Sequence, residues 1–243
     1  MSVCLIIQAR MNSQRLPGKV LREILGKPLL GYELERLKKV RLADGLLVAT
    51  SVNAADDAIA EYCKKRSVSC FRGSEEDVLA RFYEAAKQAS AETVVRVCGD
   101  SPLVDPELVD RTIERYLKDR GELDYVSNVL KRTFPRGLDC EVFSFKALEE
   151  ATREATLKSE REHVTPFIYN RPQRYRLAGV EGDRDLSGYR WTVDTEEDFE
   201  LIQKILSQVS PENPAFGMLD VLRLYEKNPG WKQINEHVQQ RPL

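Results

Sequence analysis

A chain of 243 residues with 42% hydrophobic and 31% charged residues has the composition of a soluble globular protein and can bury a sizeable core. Its 37 basic and 39 acidic residues nearly cancel, to a formal charge of -2, which removes the electrostatic case for general nucleic-acid binding. The five cysteines form no CxxC pair and the histidines are only two, which argues against zinc, and no window resembles a leader or a membrane span. The expectation is a cytoplasmic protein with no nucleic-acid or membrane partner.

Val3 to Ile7 is an apolar run without polar alternation, as in a parallel strand covered on both faces. Arg10, Arg15, Lys19, Arg22 and Lys27 follow, against the single anion Glu23, with Pro17 and Gly18 favouring a turn and Asn12 and Ser13 adding small polar groups. Such a loop at the end of a first parallel strand suits a polyphosphate, although solvated basic loops are common. It is neither GxxxxGK[ST] nor GxGxxG.

Pro28 to Val40 has the spacing of an amphipathic helix with Leu30, Leu34 and Leu37 inward. Leu46–Thr50 and Val68–Phe71 read as strands around a helix over Ala54–Arg66. Ser74 and Asp77 resemble a capping box opening a helix to about Ala89. Thr93–Val97 is a fourth strand, and Asp100 follows it directly after Gly99. A carboxylate there is either a turn residue or a magnesium ligand facing the first loop. Asp105 and Pro106 suit the N-cap and first position of a helix to about Arg120.

This β-α rhythm predicts a three-layer α/β protein with a mixed, mostly parallel sheet. Beyond it, Asp124–Asn128 and Glu141–Phe143 read as strands, Phe145–Thr156 and Glu160–Asn170 as helices, and Tyr175–Val180 and Gly188–Val193 as strands. Asp194 again stands just past an apolar run, and Glu196, Glu197 and Asp198 suit the start of a helix to about Gln208. His163 reads first as a helix-surface residue and less readily as a base. One domain is expected over residues 1–243, with 124–180 as an insertion for an acceptor or a dimer contact and 211–243 as a helical tail.

Three stretches taken together carry a resemblance: Gln8-Ala9-Arg10 with Arg15-Leu16-Pro17-Gly18-Lys19, Gly99-Asp100-Ser101-Pro102-Leu103, and Thr192-Val193-Asp194-Thr195-Glu196-Glu197-Asp198. In this order they resemble the cytidylyltransferases that make CMP-activated acidic sugars, the CMP-KDO and acylneuraminate synthetases. Pro135-Arg136-Gly137-Leu138-Asp139 and Ser159-Glu160-Arg161-Glu162-His163-Val164-Thr165 bring the likeness nearest to the spore coat polysaccharide biosynthesis protein F branch. Gln8 replaces a common Pro, and Asp194-Thr195-Glu196 is nearer the KDO pattern than a sialate Asp-x-Asp pair.

The resemblance implies a nucleotide-diphospho-sugar transferase (Rossmann-like) fold and transfer of CMP from CTP to a sugar for surface or spore-coat polysaccharide. It implies nucleotide contacts from Gln8, Ala9, Arg10, Asn12, Ser13, Arg15 and Lys19, with Arg10, Lys19 and Asp100 catalytic. Asp100 and Asp194 would ligate Mg2+, while Arg136, Asp139, Glu141 and Arg161 would meet the acceptor. CTP and a sugar are then the partners, and a homodimer stays open. Two alternatives remain at this stage: a nucleotide-sugar-dependent glycosyltransferase, for which Asp183-Arg184-Asp185 has the metal-motif spelling, and a non-catalytic nucleotide-binding protein.

Overall fold

The computed structural model describes residues 2–240; Met1 and the last three positions of the expected tail lie outside the described residues. Among the described residues nine strands form: β1 Val3–Gln8, β2 Glu23–Ile24, β3 Lys27–Pro28, β4 Gly45–Ser51, β5 Ser69–Gly73, β6 Thr93–Cys98, β7 Tyr125–Ser127, β8 Glu141–Ser144 and β9 Leu177–Gly179. β2 and β3 make a small hairpin in the cationic loop. The other seven form one sheet in the order β5-β4-β1-β6-β8-β7-β9. β5, β4, β1 and β6 are parallel, and β8 alone runs against its two neighbours.

The apolar run of β1 reflects burial on both faces. Val3, Leu5 and Ile7 join one hydrophobic cluster and Cys4 and Ile6 the other. The first cluster takes side chains from α1 Leu29–Leu37, α2 Asp57–Lys65, α4 Pro106–Lys118, α8 Glu196–Glu212 and α9 Met218–Lys227. The second takes them from α3 Val78–Gln88, α5 Phe145–Glu154 and α7 Pro166–Tyr169. α6, Lys158–His163, packs on α3 and α7. Helices therefore cover both faces, giving the three-layer mixed sheet that the rhythm predicts.

Several expectations need correction. Ser74 accepts from the Asp77 amide, but Asp77 is itself the N-cap of α3, accepting from Ala80 N, so the helix opens later than a box at Ser74 would place it. The helix expected over Glu160–Asn170 is two short helices: Pro166 cannot continue the ladder, and Val164 between them sits at φ 72°. Gly188–Val193 is no sheet strand. It bridges at Arg190 to Arg136, and the Val193 amide donates to Asp100 O, so the buried Trp191 and Val193 hold it between two loops. Residues 124–180 are built into the sheet, where they supply β7, β8 and β9. α8 continues past Gln208 to Glu212, and in the tail beyond it Phe216 and Tyr225 are buried while Leu219 is exposed.

Candidate active site

The parallel strands β1 and β6 end side by side, and Gly99 lets them. A Cβ there would stand 2.7 Å from the Gln8 carbonyl oxygen, which accepts from the Gly99 amide. The chain leaving β1 and the chain leaving β6 thus border one cavity of about 650 Å³, whose further wall comes from the loop before β8 and the end of α6. Gly137, at φ 99°, lies so close over Trp191 and Thr192 that a Cβ would meet the Thr192 nitrogen at 2.5 Å. That contact presses the Pro135–Asp139 turn against the segment carrying Asp194.

Lys19 is the meeting point. Its ammonium lies 2.6 Å from Asp100 Oδ2, 2.8 Å from Asp194 Oδ1 and 2.7 Å from the Val193 carbonyl. Burial pulls its pKa down, but Asp100 and Asp194 outweigh burial and raise it, so the amine stays charged. Asp194 shows the converse balance: burial pushes its carboxyl up, while Lys19, Arg15 and Arg190 bring it below the ordinary value. Arg15 pairs with Asp194 at 2.9 Å and Arg190 at 2.7 Å. Arg190 is held in turn by Asp198, fully buried, which also completes the capping box with Thr195 at the start of α8.

Arg10, Ser13 and Gln8 border the same cavity, and Arg10 has no hydrogen-bond or ion-pair partner among the described residues. Ala9 is buried, with its amide on Ala49 O. Asn12 does not join them: it is exposed, and its amide donates to Glu75 Oε1 at 2.8 Å.

At the far end, Glu141 is a hub. It accepts from Tyr125 Oη and Thr165 Oγ1, both at 2.6 Å, and pairs with Arg96. Asp139 is gripped by both terminal nitrogens of Arg132. The Arg136 side chain borders the cavity without a partner among the described residues, and burial followed by the nearby Arg132 and Arg190 lowers its pKa. Arg161 lies elsewhere, paired with Asp77 and donating to Thr152 O, whereas His163 two positions on borders the cavity. Successive helical residues turn by about 100°, so these two point to nearly opposite sides. Asp185 accepts from the Ser187 amide in an exposed turn away from the cavity, which leaves the Asp183-Arg184-Asp185 spelling without a site.

Arg96, Tyr125, Thr165 and Arg190 were absent from the expected site residues, and His163 was expected first as a helix-surface residue and only second as a base. Arg96 had a signal, as the one charge inside Thr93–Cys98; Arg190 was hidden in an expected strand.

Two carboxylates whose oxygens converge on one cation suit a hard divalent ion whose remaining positions are phosphate oxygens and water. Among the described residues no group of three or more acidic, His or Cys side chains offers a metal cage. An open α/β sheet, a cationic loop after its first strand and paired carboxylates at the facing ends make a scaffold for handling nucleoside phosphates.

The comparisons with known proteins agree. Residues 4–234 match the family model described as cytidylyltransferase. The chain is 36% identical to the spore coat polysaccharide biosynthesis protein SpsF of Bacillus subtilis, over 93% of this chain and 95% of that protein. It is 34% identical to the 3-deoxy-manno-octulosonate cytidylyltransferase of Geobacter metallireducens, over 49% of this chain and 46% of that protein. A solved cytidylyltransferase from Leptospira borgpetersenii superimposes over 100% of both chains, with a TM-score of 0.92 and 34% identity. The chain belongs to the cytidylyltransferase family and is a CTP-using nucleotidyltransferase.

Proposed function

We propose that the protein transfers CMP from magnesium-bound CTP to a hydroxyl of an acidic sugar, releasing pyrophosphate, in the cytoplasmic synthesis of a surface or spore-coat polysaccharide. The observation that carries this reading is the convergence of Asp100 and Asp194 on Lys19, at the mouth of a loop that also presents Arg10 and Arg15. Gln8, the Ala9 backbone, Arg10, Ser13, Arg15 and Lys19 hold the nucleotide. Asp100 and Asp194 would hold a magnesium ion, which would supply charge withdrawal from the phosphates.

The protein's own cations do the rest. An anionic sugar must approach an anionic α-phosphate, and pyrophosphate must leave with its extra charge. Arg10, Arg15 and Lys19 offset both repulsions from fixed positions, which requires no reorganisation as the reaction proceeds. Arg136, whose side chain has no partner among the described residues, supports an acceptor that carries a carboxylate, while Asp139 and Glu141 shape the acceptor wall as members of ion pairs.

The test is pyrophosphate release with magnesium, each of CTP, UTP, GTP and ATP, and a panel of acidic and neutral sugars including 3-deoxy-manno-octulosonate. The expected result is release with CTP and an acidic sugar, reduced about 10²–10³-fold in Asp100→Ala. Nucleotide binding with no release from any pair would overturn the reading in favour of a binding protein.

A further inference from the structure

Resting on the transfer reading above, a second question is which group takes the proton from the attacking hydroxyl. The carboxylates bordering the cavity are engaged: Asp100 and Asp194 with Lys19, Asp139 with Arg132, and Glu141 with Arg96, Tyr125 and Thr165. Among the carboxylates and imidazoles bordering the cavity, Glu162 and His163 are the ones without a hydrogen-bond or ion-pair partner among the described residues.

The backbone presents His163 in an unusual way. The Thr165 amide donates to the His163 carbonyl at 2.9 Å across Val164, which sits at φ 72° and ψ −58°. That is a γ-turn of the strained, positive-φ kind, costly for any residue and more so for a β-branched one. Val164 is fully buried in the core on one side of the turn, while His163 and Thr165 border the cavity on the other. Thr165 is then fixed by its bond to Glu141, the residue that also holds Tyr125 and Arg96.

We infer that His163 is a further catalytic residue, the proton acceptor for the attacking sugar hydroxyl. The hydroxyl proton passes to an imidazole nitrogen as the oxygen forms its bond to the α-phosphorus. The bond from that phosphorus to the bridging oxygen breaks, and pyrophosphate leaves with the electron pair. The imidazolium then returns the proton to water.

The surroundings keep the imidazole ready. Burial lowers its pKa, Arg96 and Arg10 lower it further, and Glu162 and Glu141 pull the other way; the net is a group below its ordinary 6.5 and neutral at pH 7. α3, packed on α6, adds Arg81 and its capping Asp77, the latter held by Arg161.

The experiment compares wild type and His163→Gln for pyrophosphate release with the acceptor that supports turnover. The wild-type kcat/KM should rise with pH through a limb below 6.5. In the variant that limb should vanish, with kcat down about 10²–10⁴-fold and CTP affinity retained. A variant with wild-type kcat, or with the limb intact, overturns the assignment, as does loss of the limb in Glu162→Gln instead. Should His163→Gln fail to fold, the wild-type imidazole signals decide. The chain has two histidines, and His237→Gln assigns the remaining signal to His163, whose titration midpoint must match the kinetic limb. A mismatch overturns the proposal. A wild type inert toward every acceptor overturns the transfer reading itself, and this inference with it.

Discussion

The two ends of the cavity handle charge in opposite ways. At the loop end, Lys19, Arg15 and Arg190 share Asp194, and Lys19 also holds Asp100; these groups come from the loop after β1, the turn after β6 and the segment before α8. At the far end, Arg96, Glu141 and Tyr125 stand on the adjacent strands β6, β8 and β7, and Arg132 grips Asp139 with two parallel bonds. The first is a cluster on loops, whose cations, under the proposed function, exchange a carboxylate for a phosphate when a nucleotide arrives. The second is a fixed wall: strand register locks Arg96, Glu141 and Tyr125, while two parallel bonds hold Asp139 to Arg132 in the loop before β8. Among the described residues Arg136, Glu162 and His163 stand at this wall with unpaired side chains.

The loop-end cluster depends most on Asp198. Replacing it with Ala leaves the Arg190 guanidinium facing a lost partner and removes a helix cap, so the unfolding free energy should fall by about 3–5 kcal/mol in a urea titration. A loss below about 1 kcal/mol would mean that Asp194 holds Arg190 alone.

Asp194 itself ranks next. Its folded pKa is depressed, so its contribution is complete above the ordinary carboxylate value of 3.8 and is lost as pH falls through the lower folded value. The wild-type Tm should therefore drop more steeply than that of Asp194→Asn as pH falls below 3.8, and the variant should already be weaker by about 2 kcal/mol at neutral pH. Parallel profiles would remove Asp194 from the ionic cluster.

The smallest effect belongs outside both ends. Arg161→Gln loosens a half-exposed pair with Asp77 and should cost about 0.5–1 kcal/mol of stability with kcat unchanged. A fall in kcat with normal stability would return Arg161 to the acceptor wall and blur the contrast between paired sheet and free turn.

Most of the loop end was legible in the sequence because Arg10, Arg15 and Lys19 lie in one run and its carboxylates each follow an apolar stretch, whereas Arg190 was hidden in an expected strand. The parallel sheet through β6, though not its strand order, followed from the β-α rhythm for the same local reason. The far end was not, because it is assembled from β6, β7, β8 and α6, and nothing local pairs Arg96 with Glu141. Reading Glu160–Asn170 as one helix hid the turn at Val164 and with it the direction of His163. The segment before Asp194 misled because Trp191 and Val193 have strand-like apolarity yet are buried between loops rather than in a ladder.

The Lys19–Asp194 contact joins positions 175 apart in sequence, and Arg22–Glu196 joins positions 174 apart. Closing loops of that length is slow, and the entropy lost is recovered only when the non-local contacts form. β1, β4 and α1 between them can assemble from neighbouring sequence, but the ionic centre must wait for the segment before α8 to dock. Recovery of activity on refolding should thus report the last docking step, lagging the return of secondary structure.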